Sequence, residues 1–90
     1  MAIATINPAT GETVKTFDAL SNGEIDDRLG RARTAFTHYR RTSFEDRSAW
    51  MRRAADILDR DRADVSRMMT TEMGKTFAAA QAEAAKCATA

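Results

Sequence analysis

The hydrophobic positions divide the chain into five segments. Ile3-Ala4-Thr5-Ile6 and Thr13-Val14-Lys15-Thr16-Phe17 are short runs rich in β-branched residues, separated by Asn7-Pro8-Ala9-Thr10-Gly11-Glu12. Two such runs around turn residues predict a hairpin over about 3–17. Pro8 fixes φ and removes a donor, Asn7 can bond its own turn, and Gly11 can take positive φ, which together suit a tight loop. A two-stranded hairpin is marginal in water, so this one requires a surface to lean on.

After the hairpin the period changes to that of a helix. Ile25, Leu29, Ala32, Phe36 and Tyr39 recur every four or three residues behind Ser21 and Glu24, which have the spacing of a capping box, so a helix is predicted over about 22–40. A second start signal at Ser43 with Asp46 opens a stripe of Trp50, Ala54, Ile57 and Leu58 over about 44–60. Continued further, that stripe would run through Asp61 and Arg62, and burying either one unpaired would be costly. A break near Arg60 is therefore preferred to one long helix exposed at its middle. Asp61 would cap a fresh helix over about 62–73, with Val65, Met68 and Met69 on its inner face. Gly74 follows where a left-handed helix stop belongs, and Thr76 can cap a last, alanine-rich helix over about 77–88. The fold class is mostly α with an N-terminal β-hairpin.

Composition changes this picture in one respect. Of the 39 hydrophobic residues among 90, 18 are alanine, so only 21 side chains are large enough to fill a core. Ordering costs roughly 1.5 kcal/mol per residue and a large buried apolar side chain returns roughly 1.5–3 kcal/mol, which makes a self-sufficient fold marginal. The net charge of +1 gives no overall field for nucleic acid or an anionic membrane. Arg40, Arg41, Arg47, Arg52 and Arg53 are the densest basic group, yet Tyr39, Phe44 and Trp50 among them are better used as core or as a staple at the Ser43 cap than as RNA platforms. No partner nucleic acid and no membrane are expected. The single cysteine rules out an internal disulfide and suits a reducing cytoplasm, the default location for a chain that opens without a leader pattern.

Gly74-Lys75-Thr76 ends like a phosphate loop, but that loop needs a glycine where Met69 stands and a preceding strand where a helix is predicted. Cys87 has no histidine near it, and Lys86 beside it points elsewhere on a helix, so a small, semi-buried helix residue is expected. His38, the only histidine, finishes a helix near its negative end. Glu72 and Glu83 with Lys75 form an ion-pair network more readily than a catalytic acid pair. Met68, Met69 and Met73 are read as core. No catalytic, cofactor-binding or metal-ligating residue is assigned.

Three stretches in order nevertheless resemble a known family: Asn7 to Glu12 with the following Thr13-Val14, the segment Arg40 to Leu58, and Met68 to Ala88 with its Glu72-x-Gly74-Lys75 signature and the acidic position Glu83. They look like the N-terminal portion of the aldehyde dehydrogenase superfamily, most nearly its bacterial succinate-semialdehyde branch. Thr76 stands where many relatives have proline. The resemblance implies a partial piece of an α/β cofactor domain, in a family where NAD or NADP accepts hydride from a thiohemiacetal on a catalytic cysteine and a glutamate activates water. It implies homo-oligomers, and a downstream part that holds the nucleophile, the glycine-rich cofactor turn and the oligomerisation strands. Cys87, between Lys86 and Ala88, does not match the family's Gly-Gln-x-Cys context. By itself the chain is expected to bind no cofactor and to be inactive; the alternative is a stand-alone helical interaction module using the Trp50 and Met68 faces.

Overall fold

The structure is a computed structural model that describes residues 3–90. Strands β1 (Ile3–Ile6) and β2 (Thr13–Phe17) are followed by helices α1 (Asn22–Tyr39), α2 (Phe44–Arg60), α3 (Arg62–Met73) and α4 (Phe77–Thr89). α1 stops one residue before the expected bound and α4 runs one residue past it.

Local chemistry explains most of these boundaries. The hairpin is antiparallel, pairing Ile3 with Phe17 and Thr5 with Lys15, and a bulge at Thr5/Ile6 shifts the register as the chain enters the turn. There the Asn7 side chain accepts from Ala9 N–H at 3.0 Å, the Gly11 amide donates to the Asn7 carbonyl at 2.8 Å, and Gly11 has φ 76°. α1 opens with a complete capping box: Ser21 Oγ accepts from Glu24 N–H at 3.3 Å, and the Glu24 carboxylate accepts from the Ser21 amide at 2.8 Å. At α2 the Ser43 hydroxyl accepts from the Asp46 amide at 3.0 Å.

The break between α2 and α3 falls at Asp61, but Asp61 does not cap α3. An N-cap side chain reaches the first turn from an extended backbone, whereas Asp61 has φ −97° and ψ 15°. Its carboxylate instead accepts both guanidinium hydrogen bonds of Arg60, at 2.8 and 2.9 Å.

The helices form a thin layer. α4 packs on α3 and α2, β1 touches α3, and no helix or strand among the described residues lies alongside α1. The least dimension is 14 Å and the radius of gyration 17.4 Å, against roughly 12 Å for a compact domain of this length. The other two dimensions, 47 and 37 Å, are each more than twice the least one, so the helices lie in a flat layer. Domains ordinarily bury their apolar faces between at least two layers. Here only Ser66, Ala80 and Ala84 are buried among the described residues.

That short inventory corrects the expected core. α3 buries Ser66, with Ala63, Val65, Met69 and Thr70 half-buried beside it, and it packs on α4, whose Ala80 and Ala84 are buried. Small side chains let the two backbones approach, and the buried Ser66 hydroxyl donates back to the Arg62 carbonyl at 2.6 Å. Met68 and Met73 consequently point away and are exposed, while Val65 and Met69 of the expected inner face are half-buried. Trp50 is 39% exposed, Ile57 50% and Met68 60%. Phe44, expected in the core or as a staple, is 85% exposed.

Candidate functional site

The chemistry-bearing residues singled out by sequence lie at three places: the α3–α4 junction, the groove between α2 and the end of α4, and the corner between α1 and α2. At the first, α3 ends because Gly74 takes φ 71°, its amide donating to the Thr70 carbonyl at 3.0 Å. Two residues later Thr76 caps α4, its hydroxyl accepting from Ala79 N–H at 3.3 Å. This sharp reversal brings the hairpin's turn against the junction. A Cβ on Gly74 would lie 3.0 Å from Pro8 Cγ. On the same side, the Thr5 hydroxyl donates to the Glu72 carboxylate at 3.1 Å.

Lys75 bridges the other way, its ammonium paired with the Glu83 carboxylate one helix further on. The hydrogen bond from Lys75, and then its charge, hold the Glu83 carboxyl below its ordinary value of 4.5. Only half of the expected network therefore forms. Glu83 is ion-paired, while Glu72 engages a hydroxyl 67 residues back, a partner that helix periodicity gives no means of finding.

The junction does not fit a nucleotide phosphate. A phosphate cradle needs a run of free backbone amides behind a strand. Here a helix precedes, the Gly74 amide is bonded within α3, the amide of Ala79 is occupied by Thr76, Pro8 closes over Gly74, and Lys75 is engaged by Glu83.

At the second place, an open groove between α2 and α4 is lined by Ser48, Met51, Arg52, Leu58 and Cys87 among others. Cys87 is exposed, not semi-buried as expected. The inward face of α4 runs through Ala80, Ala84 and Ala88, and position 87 falls off its edge. Among the described residues no group of three or more His, Cys, Asp and Glu side chains converges as a metal site would require. His38 lies in the last turn of α1, remote in sequence from these first two places.

A third cluster sets the corner between α1 and α2. Arg47 donates to the Thr42 hydroxyl at 2.9 Å and to the Tyr39 carbonyl at 3.1 Å, and its guanidinium lies 4.6 Å from the Tyr39 ring centroid. Tyr39 in turn meets Trp50 with ring centroids 5.9 Å apart. Arginine and aromatics here serve one another, an arrangement that fixes a helix corner. No described helix is long and apolar enough to cross a membrane.

Comparison with known proteins supplies what the site geometry does not. The profile of the aldehyde dehydrogenase family matches residues 1–90. A succinate-semialdehyde dehydrogenase [NADP(+)] 1 of Mycobacterium tuberculosis is 56% identical over 88 residues, which are 98% of this chain and 19% of the relative. An aldehyde dehydrogenase of Paenarthrobacter nicotinovorans is 53% identical over 89 residues, 99% of this chain and 19% of its own length. Among solved structures, succinic semialdehyde dehydrogenase from Streptococcus pyogenes, crystallised with NADP+ as the cofactor, superposes with a TM-score of 0.88 at 39% identity, covering 97% of this chain and 19% of that one. The chain thus spans about a fifth of the length of the relatives it matches. With the whole chain matched in sequence and the same hairpin-and-helix layer matched in space, the chain belongs to the aldehyde dehydrogenase family.

Proposed function

We propose that these 90 residues are the N-terminal part of an NADP-dependent enzyme that oxidises succinate semialdehyde to succinate, and that alone they turn nothing over. The observation that carries this reading is the 56% identity to the Mycobacterium tuberculosis relative across 98% of the chain. NADP is favoured over NAD because both that relative and the Streptococcus pyogenes structure are described with it.

The role of the segment within such an enzyme is architectural. Its small residues weld α3 to α4, while Trp50, Ile57 and Met68 remain presented outward. Each of these is a side chain whose full burial is worth roughly 1.5–3 kcal/mol, so a large apolar return awaits whatever covers the layer. In the proposed enzyme the remainder of the polypeptide covers it, and supplies the nucleophile, the cofactor cradle and the contacts of a homo-oligomer. Cys87, Glu72, Glu83 and His38 take no catalytic part. A cytoplasmic location belongs to the same reading and rests on the single cysteine, which suits a reducing compartment.

A chimera tests this. Replacing the matching N-terminal segment of the Mycobacterium tuberculosis relative with these 90 residues should give a soluble protein that still reduces NADP+ with succinate semialdehyde, and Cys87→Ser in that chimera should leave the rate unchanged. The 90-residue chain alone should give no NADPH. A folded chimera without activity, or turnover by the isolated chain that Cys87→Ser abolishes, would overturn the proposal.

A further inference from the structure

We draw no further inference here: the strongest candidate, the apolar stripe of Ile25, Leu29 and Phe36 along α1, which no other element among the described residues covers, carries nothing because the structure does not show what covers it.

Discussion

Pro8 and Gly74, 66 positions apart, are packed so closely that a Cβ on the glycine would stand 3.0 Å from the proline Cγ. Gly74 thus answers two demands: a left-handed backbone that stops α3, and room for the hairpin turn. Gly11 answers only the first, with φ 76° and open space around it. A Cβ in the left-handed region costs about 1–2 kcal/mol. Gly11→Ala should therefore loosen the hairpin by about that amount, and Gly74→Ala should cost more. Amide hydrogen exchange across α3 and the hairpin measures both. Pro8→Ala removes the atom in conflict, so combined with Gly74→Ala it should recover part of the excess; strict additivity of the two substitutions would show that the contact carries no energy.

The capping box at Ser21 and Glu24 makes the start of α1 sensitive to acid. The hydrogen bond from the Ser21 amide, and then that from its hydroxyl, hold the Glu24 carboxyl below its ordinary 4.5. A carboxyl with a depressed folded value stabilises the helix above its unfolded value, and the contribution disappears as pH falls through the folded one. Far-UV circular dichroism should therefore show helix loss beginning as the pH drops below about 4.5, and Glu24→Gln should flatten that part of the titration. Because no helix or strand among the described residues lies alongside α1, and its contacts with α2 are at the far end around Tyr39, the start of α1 should show the effect clearly.

Arg47 should act as the pin of the α1–α2 corner. Its two hydrogen bonds to Thr42 and Tyr39 and its seat over the Tyr39 ring together suggest a loss of about 1–3 kcal/mol on replacement by alanine. Lysine keeps the charge but not the planar fork, so Arg47→Lys should recover only a minor part. Trp50 fluorescence reports the outcome directly, since Tyr39 and Trp50 are ring neighbours. An emission spectrum unchanged in Arg47→Ala would mean that the corner is held by other contacts.

Signals that act over four residues or fewer are legible in the sequence. The Ser21, Ser43 and Thr76 caps and the Asn7 turn depend on a side chain meeting a backbone group nearby, and the Gly74 stop on glycine's tolerance of a left-handed backbone. Inner faces are harder to infer, because hydrophobicity alone does not decide them. On α3 the one fully buried side chain is Ser66, Ala63, Val65, Met69 and Thr70 are half-buried around it, and Met68 and Met73, which look like core, face away. Asp61 has the spacing of a cap, but its backbone is not extended and Arg60 competes for the carboxylate. The junction's ties to the hairpin, Thr5 to Glu72 and Pro8 to Gly74, join segments more than 60 residues apart and leave no periodic trace.

The final prediction follows from the thinness of the layer. A cooperative transition requires a core whose contacts are lost together, and here the enclosed side chains are a serine and two alanines among the described residues, with Trp50, Ile57 and Met68 all more than a third exposed. Dilute 90-residue chain should therefore lose helix over a broad temperature range without a sharp midpoint, and should bind a fluorescent apolar dye before heating. Joined to the remaining four-fifths of the related enzyme, the same residues should melt with the whole, and the dye should no longer bind. The stand-alone interaction module predicts the opposite for the isolated chain: a sharp, concentration-independent transition with little dye bound. That result would mean the layer is stable by itself, and its outward apolar residues would then have to be explained as a surface that meets a separate partner.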